Sequence, residues 1–183
     1  MPSISVRFSK EVAALIFVSV GTHEQQMNRL FEELDRLIEK GVITEKVIAQ
    51  TGYSDYKPKH MEWSKFYPYA KTQQLAAEAH ILITHGGPSS FVMGLQNGKT
   101  PIVVPRKAAL NEHVNDHQVK FCHAVEERCN SIIVVDDVKD LGRIIEHYDE
   151  IAASKNVGLN SNNAAFCAGL ENIALKLAGE NHA

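Results

Sequence analysis

The sequence has no apolar run of about 18 residues, the length that a helix needs to cross a bilayer. It also lacks an excess of basic residues: 19 lysines and arginines are balanced by 22 acidic residues, and the formal net charge is −3. A nucleic-acid-binding surface needs clustered positive charge. We therefore expect neither a membrane-spanning helix nor nucleic acid as a partner.

Cysteine is scarce, with residues only at Cys122, Cys129 and Cys167. Their number is odd and no Cys-x-x-Cys pair occurs, so we expect reduced thiols in a cytoplasmic protein rather than a disulfide framework. The apolar stretch 12–20 is not followed by the cleavage site of a signal peptide. We interpret this stretch as part of a buried strand.

The remaining composition is that of an ordinary globular domain. The chain has 183 residues, of which 44% are hydrophobic and 22% are charged, enough to enclose one sizeable core. Residues 1–14 are weakly patterned, and we predict that they form an N-terminal extension. No Pro-, Gly- or Ser-rich linker divides the rest, so we predict a single domain over residues 15–183.

Short apolar runs alternate with amphipathic segments along the chain. The first pair is an apolar run over 15–20, closed by Gly21, and a segment from Met27 to Ile38 with apolar residues at helical spacing. We predict strands over 15–20, 46–51, 61–69, 80–84, 101–105 and 131–135, and helices over 27–38, 72–79, 89–96, 116–128, 138–151 and 164–178.

This alternation predicts an α/β fold, a Rossmann-like parallel sheet with helices on both faces. Several predicted strands are apolar throughout, as strands covered on both faces are. In such sheets ligands bind beyond the carboxyl ends of the strands. That rule directs attention to three loops, over residues 21–26, 85–90 and 106–118.

The first loop contains Gly21, Thr22 and His23 between a strand and a helix. Backbone N–H groups at such a position can bind an anion. An equally good interpretation is local: Thr22 caps the helix, and Gln25 completes a capping box.

The second loop reads His85-Gly86-Gly87-Pro88-Ser89-Ser90. Two glycines allow a ligand close to the backbone, and Pro88 suits the first position of a helix. Ser89 and Ser90 add hydroxyl donors, and no carboxylate occupies the first turn. The segment favours diphosphate binding over a plain turn, but it lacks the Gly-Lys-Ser/Thr of a P-loop.

The third loop carries side chains suited to sugar hydroxyls, among them Asn115, His117 and Gln118. Polar ligand recognition is the favoured interpretation, and surface capping is the alternative. His113 and His117 lie four residues apart, but the HExxH pattern is not met and no third ligand has diagnostic spacing. We therefore expect no metal and no other cofactor.

An aromatic group over 63–69 has two interpretations. It could form a platform on which a sugar stacks, but a strand with ordinary packing is favoured.

Five segments at these loops resemble the glycosyltransferase family 28 C-terminal domain over most of the chain, from about Leu15 to Ala178. They are FVSVGTHEQQ from Phe17, QTGYSDY from Gln50, THGGPSSF from Thr84, GKTPIVVPR from Gly98 and EHVNDHQ from Glu112. Their order and spacing are most similar to those of the PssE-like subunits of bacterial capsule and exopolysaccharide synthesis.

The resemblance implies the donor-binding half of a GT-B enzyme. Gly21, Thr22 and His23 would lie near the diphosphate or the transferred sugar. His85, Gly86, Gly87, Ser89 and Ser90 would hold the diphosphate at the helix N-terminus. Asn115, His117 and Gln118 would recognise sugar hydroxyls, Arg106 would pair with phosphate or lie at the surface, and the base would rest near 61–69.

The resemblance also implies a chemistry: inverting transfer of a hexose, galactose or glucuronic acid, from a UDP-sugar without a metal. The general base would come from a partner chain or from His23. Met93 stands where many family members carry a glutamate that holds the ribose, and Gln96 lies one turn further on. This departure leaves open an accessory, non-catalytic role beside a partner transferase.

Finally, the resemblance implies a partner. The other GT-B half would be a membrane-anchored subunit that binds a polyprenyl-linked acceptor, and the present chain would be cytoplasmic and peripheral at the inner face of the membrane. The predicted last helix is a candidate surface for that partner, with packing on its own sheet as the alternative.

Overall fold

The computed structural model describes residues 14–156, 168–171 and 173, and the structural statements below concern these residues. Their core is one sheet of six parallel strands in the order β3-β2-β1-β4-β5-β6. The strands are β1 (Leu15–Ser19), β2 (Lys46–Gln50), β3 (Glu62–Ser64), β4 (Ile81–His85), β5 (Ile102–Val104) and β6 (Ile133–Val134). The helices are α1 (Asn28–Glu39), α2 (Tyr69–Glu78), α3 (Pro88–Gln96), α4 (His117–Cys129), α5 (Leu141–Glu146) and α6 (Tyr148–Ala153).

Alternating side chains of β1 show why both faces of the sheet are covered. Ile16 and Val18 pack into the core cluster that contains Leu30 and Leu34 of α1. Phe17 points the other way and packs with residues of α2, β4 and α3. Ile16, Phe17 and Val18 are all fully buried, which explains the uninterrupted apolar run in the sequence.

The order of the strands reverses beside β1. The chain moves outward from β1 to β2 and β3, and then returns to place β4 on the other side of β1. A crevice opens at such a switch point, because the connections from the two central strands run in opposite directions. The loops after β1 and β4 therefore border the expected ligand site.

Two predicted elements were wrong. The segment 61–69 is not one strand: β3 spans three residues, and Tyr69 begins α2 with Pro68 as its N-cap. The segment 138–151 is not one helix, since it comprises a 3-10 turn, α5 and α6. The backbone leaves helical geometry at His147 (φ −108°, ψ 19°), and Tyr148 then donates a buried hydrogen bond of 2.9 Å to the carbonyl of Thr100.

Other predictions fall partly outside the described residues. The predicted N-terminal extension lies outside them except at residue 14, and Cys167 lies outside them as well. Of the predicted last helix, residues 168–171 and 173 are described, and they are helical. None of the helices in the described part of the chain is both long and apolar enough to span a bilayer.

Candidate functional site

A cleft of about 940 Å³ lies at the carboxyl ends of the strands, at the switch point. Its wall is formed by the ends of β1, β2 and β4, the loop after β1, the segment from β3 into α2, helix α3, the loop after β5 and the start of α4. The residues from β1 and its loop, β2, β4 and α3 are Ser19, Gly21, Thr22, His23, Glu24, Gln50, His85, Ser89, Ser90, Val92, Met93 and Gln96. Those from the other segments are Phe66, Tyr67, Tyr69, Thr72, Gln73, His113 and Gln118.

The N-terminus of α3 opens onto this cleft. Pro88 is the first helical residue, and Gly87 precedes it in an extended conformation. No side chain caps the helix and its first turn has no acidic residue. Ser89 and Ser90 both line the cleft. The end of the helix therefore presents a positive dipole and two hydroxyl groups to any anion in the cleft.

The glycines around the cleft have a role that differs from the predicted one. A β-carbon on Gly21 would lie 2.6 Å from Cε1 of His85, and one on Gly87 would lie 2.4 Å from Nε2 of the same ring. The His85 ring therefore occupies the space that these two glycines leave. The space beside Gly86 is filled in the same way, since a β-carbon added there would lie 2.9 Å from Sγ of Cys122. We predicted that a ligand would approach the backbone closely at these glycines. In the structure the side chains of His85 and Cys122 approach it instead.

His85 is a neutral side chain in this setting. It is 8% exposed, and its Nδ1 has no hydrogen-bond partner. Burial, with the positive charge of Arg106 as the next contribution, lowers the pKa of His85 to about 4. The ring thus carries no charge near pH 7, and any contribution of His85 to anion binding there is a hydrogen bond rather than an ion pair.

The rings of three histidines form a cluster beside the cleft. The rings of His23 and His113 are parallel within 19° at 4.7 Å, and His113 meets His117 edge-on at 4.5 Å. Burial lowers the pKa of His113, and the neighbouring His117 and His23 act in the same direction. Within the described part of the chain, no three His, Cys, Asp or Glu side chains are arranged to hold a metal ion.

His113 lines the cleft, whereas two residues predicted to bind sugar do not. Asn115 and His117 are exposed and bond to each other, with 2.6 Å between Oδ1 of Asn115 and Nδ1 of His117. Of the residues predicted in this loop, Gln118 does line the cleft, and its Oε1 accepts a 3.2 Å hydrogen bond from the backbone N–H of Arg106.

The prediction that Arg106 either pairs with phosphate or lies at the surface was wrong. Its side chain is fully buried and does not line the cleft. Its guanidinium donates to backbone carbonyls, with Nη2 2.9 Å from the oxygen of Val20 and Nη1 2.8 Å from that of Gln25. The sequence could not show this, because the carbonyls belong to residues about 80 positions away.

Two buried polar residues of the site were missed from the sequence. Ser19 ends β1 and Gln50 ends β2, and Nε2 of Gln50 lies 3.4 Å from Oγ of Ser19. Oε1 of Gln50 accepts a 3.0 Å hydrogen bond from the backbone N–H of Tyr67. Polar residues at the end of apolar strands were the available signal, because that edge of the sheet forms the site.

The cleft has an unusual distribution of charge for an anion site. Among the described residues that line it, none is lysine or arginine, and Glu24 is the single acidic one. Attraction of an anion to this cleft would therefore depend on the dipole of α3 and on neutral hydroxyl, amide and imidazole donors. Met93 lines the cleft but is 6% exposed, and it packs in the cluster of Phe17 and Leu75. Gln96, the alternative ribose partner, is exposed at the cleft wall.

Comparison with solved structures defines the class to which this fold belongs. The glycotransferase of kitacinnamycin is 17% identical with a TM-score of 0.54, and the calicheamicin glycosyltransferase CalG4 is 15% identical with a TM-score of 0.53. The spinosyn forosaminyltransferase SpnP is 14% identical with a TM-score of 0.54. Each alignment covers 78% of this chain but only 35–37% of the other. The sheet is thus the Rossmann-like fold of GT-B glycosyltransferase C-terminal domains, and the chain spans about a third of the length of these structures.

The family follows from the sequence match. The model of the glycosyltransferase family 28 C-terminal domain matches residues 15–176, which is most of the chain, and the chain belongs to this family. The predicted family resemblance is thereby confirmed. No curated protein sequence matches this chain at a significant level.

Proposed function

We propose that this chain binds the diphosphate of a UDP-sugar and is the donor-binding part of an inverting glycosyltransferase. The observation that carries this proposal is the uncapped, carboxylate-free N-terminus of α3, which opens onto a cleft at the switch point of the sheet. A helix N-terminus of this kind suits a phosphate group, and the membership of the family supports a sugar nucleotide as its carrier.

The neutral side chains of the cleft fit the proposed ligand. The diphosphate would accept hydrogen bonds from Ser89, Ser90 and the first free N–H groups of α3. The uridine would extend towards the wall formed by Phe66 and Tyr67, and the sugar towards His113 and Gln118. Because the cleft holds one carboxylate, Glu24, the departing UDP would meet little repulsion at the α3 end, and the helix dipole would stabilise its developing charge.

His23 is the proposed general base on this side of the cleft. Its Nε2 lies 2.9 Å from Oε1 of Gln25, which is an acceptor. Nε2 then carries the ring proton, and Nδ1 is left with the free electron pair that a base needs. The alternative is that the base is supplied by the partner that completes the cleft.

The proposal extends to the sugar, the acceptor and a partner subunit. The chain would transfer galactose or glucuronic acid to a polyprenyl-linked acceptor in capsule or exopolysaccharide synthesis, as a PssE-like subunit. A membrane-anchored subunit would form the acceptor-binding half and bring the chain to the cytoplasmic face of the membrane.

A second function, an accessory subunit without donor binding, is favoured by one observation. Met93 is buried among apolar side chains at the position where a ribose-binding glutamate is expected, and it offers no hydrogen bond to a ribose. Calorimetry with UDP separates the two functions, because an accessory subunit gives no heat of binding.

The decisive variant is Ser89→Asp, which places a carboxylate in the first turn of α3 beside the proposed diphosphate. A carboxylate there favours the helix, so the fold should keep its stability while UDP binding weakens at least about tenfold. The matched control is Thr44→Asp, which adds the same charge at an exposed residue just before β2, at the opposite edge of the sheet. It should leave the calorimetric Kd for UDP unchanged.

Two results contradict the proposal. Either the unaltered chain gives no heat with UDP, or Ser89→Asp binds UDP as tightly as Thr44→Asp does. The enzymatic part is tested by adding the proposed membrane-anchored subunit and measuring sugar transfer from radiolabelled UDP-sugar to a lipid-linked acceptor. A pair that binds UDP and transfers no sugar removes the catalytic assignment and leaves the binding one.

A further inference from the structure

Arg106 is the largest fully buried side chain described in this protein, and it is directed at loops rather than at the apolar core. It follows β5 after a single proline. Its guanidinium nitrogens lie 2.8–3.1 Å from four backbone carbonyls, those of Val20, Gln25, Gln26 and Glu112. Three of the four belong to the loop between β1 and α1.

That loop is the part of the cleft that carries Gly21, Thr22 and His23. Arg106 binds it at both ends, at Val20 just before Gly21 and at Gln25 and Gln26 just after His23. A fixed distance between these two anchor points restricts the conformations of the residues between them. The position of the His23 ring against His113 therefore depends on the guanidinium beneath it.

A second buried charge connects the loop after β5 to helix α1. The carboxylate of Glu112 is 1% exposed and accepts hydrogen bonds from Arg29 of α1, at 2.8 Å from Nε and 3.0 Å from Nη2, and from the backbone N–H of Lys107. Gln26 adds a 3.0 Å hydrogen bond to the carbonyl of Leu110. The loop after β1 and the loop after β5 are thus joined by one polar network with Arg106 at its centre.

Arg106 differs from a neutral residue in the same position because it carries a positive charge that acts on its neighbours. Burial lowers the pKa of Arg106 to about 10, while Glu112 opposes this shift, so the side chain stays charged near pH 7. The same charge lowers the pKa of His85, after burial, and contributes to the lowered pKa of His113. Arg106 therefore acts on the cleft without entering it.

We propose that Arg106 is a positioning residue for donor binding, which holds the loop of Thr22 and His23 against the loop of His113 in the geometry that the UDP-sugar requires. This inference rests on the proposed function. Lysine cannot replace it, because one ammonium group cannot reach carbonyls on both sides of the loop in the plane of a guanidinium fork.

The test compares Arg106→Lys with a core variant, Ile144→Ala in α5, which removes buried apolar contacts without lining the cleft. Both variants lower the Tm, and their UDP affinities are measured by calorimetry well below either Tm. Hydrogen exchange of the amides of residues 21–26 is followed in the absence of ligand. A purely structural role of Arg106 would affect the two variants alike.

We expect Arg106→Lys to bind UDP about tenfold to a hundredfold more weakly, since hydrogen bonds from a charged group are lost at the loop. Relative to the unaltered chain, hydrogen exchange in Arg106→Lys should accelerate more at the amides of residues 21–26 than at those of the core strands. Ile144→Ala should keep its Kd for UDP within about twofold. Equal affinities of Arg106→Lys and the unaltered chain, or equal losses in both variants, overturn the inference.

Failure of the proposed function gives a different result. In that case the unaltered chain binds no UDP at all, and the donor part of the inference falls with it. The exchange measurement still reports on the loop: local acceleration in Arg106→Lys supports the positioning of residues 21–26, and uniform acceleration across the sheet refutes it.

Discussion

A histidine lies at each end of strand β4, and the two side chains have opposite environments. His80 directly precedes the strand and lies between two carboxylates, with Nδ1 3.0 Å from Glu45 and Nε2 2.9 Å from Asp149. His85 is the last residue of the strand and lies between Gly21 and Gly87, where Nδ1 has no partner. About 17 Å of chain separates them, from five residues at the rise of a strand.

The environments set opposite directions of pKa. Partial burial opposes the charge of His80, but the hydrogen bonds to Asp149 and Glu45 outweigh it and raise the pKa of His80. Burial lowers the pKa of His85 to about 4. At the amino edge of the sheet, both ring nitrogens of His80 face carboxylates, which favours its protonated form, and at the carboxyl edge His85 is a neutral, space-filling ring beside the cleft.

The largest expected effect comes from filling the space beside His85. Gly21→Ala adds a β-carbon 2.6 Å from Cε1 of His85, on a backbone with φ of +71°. We expect a loss of about 2–4 kcal/mol in the free energy of unfolding, from backbone strain of about 1 kcal/mol and from the steric clash. Urea denaturation followed by circular dichroism measures this loss.

Gly41→Ala is the matched control, because Gly41 has φ of +73° and nothing within 4 Å of the added carbon. It should lose only the strain, about 1 kcal/mol. The difference between the two variants isolates the clash with His85. In a double-mutant cycle His85→Ala should recover most of that difference, and a cycle without coupling would show that the ring can move aside.

A smaller effect concerns pH. The unfolded pKa of a histidine is about 6.5, and His85 in the folded protein is protonated only near pH 4, so the unfolded state binds more protons in between. Stability is then fully present above about pH 6.5 and falls as the pH drops towards 4, by at most about 3 kcal/mol. His85→Gln should remove this part of the pH dependence.

His80 gives the opposite sign. Its folded pKa is raised, so its contribution is fully present below the unfolded pKa and is lost as the pH rises through the folded pKa. The stability difference between the unaltered chain and His80→Gln should therefore shrink with rising pH, and the difference for His85→Gln should grow. Parallel pH profiles of the two variants would refute the contrast between the ends of β4.

The smallest expected effect is within the His80 pair itself. Asp149 has an 82% exposed side chain, whereas Glu45 is 21% exposed. Since exposed ion pairs contribute about 0–1 kcal/mol, Asp149→Asn should change stability by a few tenths of a kcal/mol or less. Glu45→Gln should cost more stability, because the carboxylate of Glu45 is better shielded from water, although the hydrogen bond to Asp149 contributes more than that to Glu45 to raising the pKa of His80. Urea denaturation of both variants measures the two losses, and a larger loss in Asp149→Asn would show that exposure does not weaken the Asp149 pair.

The contrast between His80 and His85 also shows where sequence reasoning stops. The alternation of apolar runs and amphipathic segments predicted the parallel α/β sheet, because burial on both faces has a direct signature in the strands. It also located the cleft, since the loops after β1 and β4 follow from the order of elements. Neither histidine's pKa direction could be predicted, because Glu45, Asp149, Gly21 and Gly87 are brought to them by the fold.

Arg106 illustrates the same limit, because its predicted role ignored contacts that only the fold brings together. An arginine after a strand in a parallel sheet was a reasonable phosphate ligand, yet it is buried beneath the loop that was thought to share that ligand with it. Gln50 was overlooked because it sits at the end of a strand outside the three loops considered. The helix break at His147 precedes a buried contact of Tyr148 with Thr100, a residue far away in sequence.

The two outer strands of the sheet are short: β3 has three residues and β6 has two. A strand of that length offers few free backbone groups to another chain, so these edges are poor templates for β-augmentation or edge-to-edge aggregation. A partner of this domain is therefore expected to bind through side chains and loops, and the sheet should not grow when the complex forms.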